Sequence, residues 1–170
     1  MTTSLMTRVT PYLTAIMFSL LTSSALAATT MNKTAPDFTL KSNQGKNFRL
    51  SEHRGDVLFI NFWASWCGPC RQEMPILEEL HSRYSSAGFK VVGISIDEDE
   101  AAANGLLKKI PVSFPVLYDT TSKVSELFDV DAMPTSVLVD RNGKMRFLHR
   151  GYKPGFEDDY RAQIRELIKE

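Results

Sequence analysis

The sequence predicts an α/β domain, a mixed central sheet flanked by helices and entered through a β-hairpin. Three observations carry this. Two apolar runs, VLFINFW (57–63) and FKVVGISI (89–96), read as strands buried on both faces. A helical pattern follows each, which calls for parallel strands joined by crossovers. TSVLVD (135–140) and KMRFLHR (144–150) flank Arg141-Asn142-Gly143, and Asn-Gly between apolar runs marks a tight antiparallel hairpin, expected at the sheet edge.

Taken in order, residues 28–34 are small and polar and read as a linker. DFTL (37–40) and NFRL (47–50) flank KSNQGK, a hairpin signal with Gly45 in the turn. SEHRGD (51–56) is a turn or helical cap before the first buried strand. After Cys67, the residues Glu73, Leu77, Leu80 and Tyr84 recur at helical spacing, and Gly88 is the stop. Pro75 falls inside that helix and should bend it. Residues 97–110 form a loop and helix capped by Asp97 or Asp99, 114–119 a short strand, and 121–130 a helix capped by Thr121 or Ser122. FEDDYRAQIRELIKE (156–170) is an amphipathic helix with Phe156, Tyr160, Ile164, Leu167 and Ile168 inward.

Composition narrows the function. Of 170 residues, 20 are Lys or Arg and 20 are Asp or Glu. That balance argues for no nucleic-acid partner. Residues 1–27 differ from the rest. Arg8 is their only charge, Tyr12–Leu21 is apolar, and Ala25-Leu26-Ala27 has the small-x-small form of a cleavage site. They read as a signal peptide cleaved after Ala27, leaving one domain over 35–170 and a periplasmic location. An uncleaved anchor is the weaker alternative, because a span needs about 20 mostly apolar residues.

The chain has only two cysteines, Cys67 and Cys70, in NFWASWCGPCRQEMP. An exported domain stapled by disulfides would typically carry four or more. A loop this small also restricts the unfolded chain very little. The pair therefore points to redox chemistry. It falls where a buried strand gives way to a helix. Unpaired N–H groups and the helix dipole favour a thiolate at Cys67, below the free value of about 8.5. Cys67 is the expected nucleophile; Cys70, one turn in, is the resolving thiol. Zinc would need two more ligands, and His53, His81 and His149 are scattered. A peroxiredoxin is excluded, since Ile60 and Ala64 occupy the places of its required Pro and Thr/Ser.

Trp66-Cys67-Gly68-Pro69-Cys70, with APDFTL, RGDVLFINFWAS, FPVLYD and MPTSVLVDRNGK, resembles the thioredoxin superfamily, in its exported TlpA-like and ResA-like branch. The resemblance implies a thioredoxin-like fold with an N-terminal β-hairpin and an inserted α/β segment. It implies a protein-disulfide oxidoreductase, monomeric, whose redox-active disulfide Cys67–Cys70 is its only redox group, with no metal or other cofactor. Pro134 should be cis and face the pair, Met133 should offer backbone groups to substrate, and Trp66 should form part of the docking surface. Gly68 and Pro69 should tune the loop. The family's buried Asp is replaced by Asn61, so a glutamate elsewhere, expected to be Glu98, would serve Cys70 as base. Gly-Pro between the cysteines implies a reductant of oxidised exported proteins, apocytochrome c among them, fed by a membrane thiol donor. The alternative is a copper-handling or oxidase-assembly thiol protein of the same fold.

Overall fold

The computed structural model describes residues 29–170. The expected leader, residues 1–27, lies outside them. In chain order the elements are β1 (Thr29–Thr34), β2 (Thr39–Lys41), β3 (Asn47–Arg49), a 3-10 turn at Leu50–His53, β4 (Val57–Trp63), α1 (Gly68–Tyr84) and β5 (Phe89–Ser95). Then come α2 (Glu100–Leu107), β6 (Val116–Tyr118), α3 (Lys123–Leu127), β7 (Thr135–Val139), β8 (Lys144–Arg150) and α4 (Phe156–Lys169). Six strands form one sheet in the order β1-β8-β7-β4-β5-β6, and β2 pairs with β3 alone.

β4 lies inside the sheet, parallel to β5 and antiparallel to β7. All seven of its residues are buried, and its side chains alternate between two layers. Val57, Phe59 and Trp63 pack with Met74, Leu77 and Leu80 of α1 and Tyr160, Ile164 and Leu167 of α4. Leu58, Ile60 and Phe62 pack on the other side with Phe38, Phe48 and Phe128. Each such side chain contributes about 1.5–3 kcal/mol by leaving water. Asn61 shares the parity of Phe59 and Trp63, which places a polar group in the layer beneath α1 and α4.

The structure corrects three expectations and decides between two candidates in a fourth. Residues 29–34 are an edge strand, with Thr34 opposite Lys144 in an antiparallel pairing to β8. An edge strand needs only backbone partners on one side, so its polar side chains read as a linker. For the same reason the closing hairpin is interior: β7 borders β4, and β1 covers β8. The third helix takes its cap from Asp119, whose carboxylate accepts from the N–H groups of Val124 and Ser125. Of the two aspartates considered for α2, Asp99 is the cap, accepting from Ala101 N–H at 2.8 Å.

α1 continues through Pro75, and a 3-10 turn links it to Gly88. Gly88 has φ +77°, and a Cβ there would lie 2.9 Å from Arg141 Nη1. That guanidinium, at the tip of the β7–β8 hairpin, donates to the carbonyls of Gly55, Ala87 and Ile168.

Candidate active site

β4 ends at Trp63, and the chain crosses in four residues to the start of α1. Asp97, just beyond β5, holds that crossing. Its carboxylate accepts from Ser65 N–H at 2.9 Å, from Ser65 Oγ at 2.7 Å and from Ser95 Oγ at 2.8 Å. The loop before the cysteines is thereby tied to the end of the parallel neighbour strand.

Cys67 is the N-cap of α1 and is joined to Cys70 by a disulfide. Its Sγ accepts from the backbone N–H of Cys70 at 3.1 Å. A sulfur at this position meets the unpaired donors and positive dipole end of a helix, the environment that favours thiolate. Pro69, in the first turn, has no N–H where an N–H would in any case lack an intrahelical partner. Trp66 is 66% exposed, while Cys67 and Cys70 are 4% and 1% exposed. The aromatic tip therefore stands in solvent beside a covered disulfide.

The Met133–Pro134 bond is cis. Pro134 is buried, and its carbonyl accepts from Gly151 N–H at 2.7 Å. Met133 packs against the core cluster that contains both cysteines. Among the described residues no hydrogen bond engages its backbone N–H or C=O. A groove of about 570 Å³ runs between Trp66 and Met133, floored by Ile96 and Val130. A larger cavity, about 690 Å³, is bordered by Asp140, Lys144 and Arg146 at the opposite end of the sheet.

Asn61 and Glu98 have different surroundings. Glu98 is exposed, in the loop between β5 and α2, with no hydrogen bond among the described residues. Asn61 is 2% exposed and donates through Nδ2 to Glu73 Oε2 at 2.8 Å and to Ser136 Oγ at 2.9 Å. Glu73 is fully buried, on the inward face of α1 one turn after Cys70. Its Oε1 accepts from Tyr160 OH at 2.7 Å and from Ser136 Oγ at 3.4 Å. Burial pushes the carboxyl up to about 7, and the bonds from Tyr160, Asn61 and Ser136 pull the other way. Burial and then the neighbouring Glu73 charge push the Tyr160 hydroxyl far above its ordinary range.

Glu73 was legible only in part. It stands in the apolar register of α1, and an acid there, three residues after a reactive cysteine, is the signal that could have singled it out. His149 lies in β8 with Nε2 2.8 Å from Gln163 Oε1. Among the described residues no three His, Cys, Asp or Glu side chains gather as a metal site.

A cysteine pair bridged at a helix N-terminus, on a thioredoxin-like sheet with a cis proline just before β7, defines a dithiol–disulfide oxidoreductase. The chain belongs to the redoxin family, whose profile matches residues 30–164. It is 33% identical over 124 residues to the thiol-disulfide oxidoreductase ResA of Geobacillus thermodenitrificans, covering 73% of this chain and 71% of that one. It is 35% identical to ResA of Bacillus subtilis over 111 residues, 65% of this chain and 62% of the relative. Among solved structures, a Chlorobium tepidum protein provisionally named thiol:disulfide interchange protein DsbE superposes with a TM-score of 0.79 at 37% identity, covering 81% of this chain and 97% of that one. The exposed lipoprotein thioredoxin Etrx1 of Streptococcus pneumoniae gives 0.69 at 28% identity, covering 78% and 100%.

Proposed function

We propose that the chain is an exported, monomeric reductant of cysteine pairs in other exported proteins, with Cys67 as nucleophile, Cys70 as resolving thiol and Glu73 as the base for Cys70. One observation carries this reading: Cys67 caps α1 and a buried carboxyl with a pKa near 7 follows Cys70 by one turn. In the reduced protein the Cys67 thiolate attacks a substrate disulfide. That S–S bond breaks, one substrate sulfur leaves as thiolate, and a mixed disulfide forms. Cys70 then gives its proton to Glu73, and its sulfur attacks Cys67 Sγ. The second substrate sulfur leaves and takes up the proton. Two electrons have passed to the substrate, and the Cys67–Cys70 disulfide remains.

The base is assigned to Glu73 in place of Glu98, because Glu73 is buried on α1 one turn from the buried Cys70 and Glu98 is exposed. Trp66, Met133 and Pro134 form the substrate surface. The unengaged backbone of Met133 supports docking of an extended segment as an added strand. Gly68 and Pro69 set the loop between the cysteines, and Asn61 holds Glu73.

Gly-Pro between the cysteines favours the reducing direction, and the leader-like residues 1–27 favour export to the periplasm. Among the described residues no helix is long and apolar enough to cross a membrane. Apocytochrome c cysteine pairs, before haem attachment, are the favoured substrate, and a membrane thiol protein supplies electrons. The copper alternative draws no support from His149, whose Nε2 is engaged by Gln163. The direction is tested by the reduction potential. The reducing and oxidising members of the superfamily differ by about 150 mV, roughly 7 kcal/mol for two electrons. We expect a value near the reducing end; one near the oxidising end would reverse the assignment.

A further inference from the structure

We infer that Tyr160, on the last helix, is a positioning residue for the exchange reaction: its hydroxyl holds Glu73 Oε1 and keeps the carboxyl ready to take the Cys70 proton. This rests on the proposed role of Glu73.

Tyr160 is fully buried. Its ring meets Phe59 edge-on at 4.9 Å and His149 at 4.8 Å, and Phe156 lies 6.4 Å away. Packed on these sides, the ring cannot swing its hydroxyl away from α1. Three donors from three elements therefore converge on one carboxyl: Asn61 from β4, Ser136 from β7 and Tyr160 from α4. All three are neutral, and none can neutralise the charge. They stabilise the ionised form only through hydrogen bonds. Tyr160 makes the shorter of the two bonds to Oε1, 2.7 Å against 3.4 Å for Ser136. When Glu73 is ionised, every donor is satisfied. When it takes a proton the charge is lost, the bond from Tyr160 to Oε1 weakens to a neutral one, and a proton placed on Oε1 would make the hydroxyl turn. The hydroxyl therefore favours the state of Glu73 that accepts a proton over the state that holds one.

The titratable groups facing Glu73 are few. Cys70 shares its helix. Tyr160 reaches it from α4, and Tyr152, in the segment before α4, is near enough that the Glu73 charge helps push its hydroxyl up, after burial and Glu157. His149 touches the Tyr160 ring from β8 and is pushed down by burial, which keeps it neutral at pH 7. In the disulfide form neither cysteine titrates, so Glu73 is observable free of the thiols.

The test follows the Glu73 carboxyl by 13C NMR in the oxidised protein and, separately, the pH profile of mixed-disulfide resolution in the reduced one. Tyr160→Phe removes one donor to the charged form. We expect both midpoints to rise by about one pH unit, which makes resolution about fivefold slower at pH 7, with wild-type and variant rates converging near pH 9. Site-specific 3-fluorotyrosine at position 160 keeps the shape and strengthens the donor, so both midpoints should fall. This second replacement decides the matter if Tyr160→Phe does not fold. Unmoved midpoints in either folded protein overturn the inference. If the wild type exchanges no disulfides, the proposed function fails instead, and the carboxyl titration still reads the Tyr160 contact alone.

Discussion

Asn61 and Glu73 are joined across the interior by a 2.8 Å hydrogen bond from the side-chain amide to Oε2. The bond links the strand before the cysteine pair to the helix after it. It puts a neutral donor on the strand and a buried acid on the helix. The consequences for chemistry and for stability differ in sign and can be separated.

Removing the acid should slow one step only. Glu73→Gln keeps the shape and the hydrogen-bonding reach but cannot take the Cys70 proton. We expect resolution of a mixed disulfide to slow at least tenfold at pH 7, with little change in attack by Cys67. Quenched-flow analysis of the two steps checks this. Glu98→Gln should change neither rate.

The same carboxyl lowers stability as pH rises. It titrates at about 7 when folded and near 4.5 when unfolded, so between those values the folded chain holds a proton that the unfolded chain has lost. Its contribution is fully present below about pH 4.5, declines as pH rises through about 7 and then levels off, a loss of about 3 kcal/mol. Denaturant unfolding of the oxidised protein from pH 4 to 9 should show this decline. Glu73→Gln should flatten it.

Asn61→Asp would place a second carboxyl at hydrogen-bond distance from the first. Two such groups share one proton, and both cannot ionise without mutual repulsion. We expect a loss of about 2 kcal/mol or more at pH 8 and a smaller one at pH 5. Equal losses at both values would mean that the amide acts only by shape.

Cys70→Ser should accumulate mixed disulfides through Cys67, and Cys67→Ser should accumulate none. Trapped partners resolved by non-reducing electrophoresis and mass spectrometry would identify the substrates. In the same experiment Trp66→Ala should reduce capture of protein disulfides several-fold while leaving reaction with a small aromatic disulfide nearly unchanged, because only a protein partner is large enough to bury the exposed indole.

Arg141→Met separates fold from chemistry. Its guanidinium donates to three carbonyls from three parts of the chain. Losing it should cost about 1–3 kcal/mol in denaturant unfolding. The pH profile of exchange should stay where it is, since no bond from Arg141 reaches the cysteine layer.

The features readable from the residues alone are local or periodic. The apolar run 57–63, the helical register after Cys67, the Asn-Gly hairpin and the two-residue spacing of the cysteines each depend on near neighbours, and each became the expected element. The helix N-terminus at Cys67 followed from the same signals. Tertiary structure decided the rest. The edge strand β1 exists because β8 lies beside it, and nothing within residues 29–34 announces that partner. The environment of Glu73 is assembled from Asn61, Ser136 and Tyr160, which lie 12, 63 and 87 residues away along the chain. Burial and hydrogen bonding by distant groups set a carboxyl's proton affinity, and a pattern of neighbouring residues does not encode them. The thiols could therefore be read from the sequence, while the surroundings of the acid proposed to serve them emerged only when β4, β7 and α4 closed around α1.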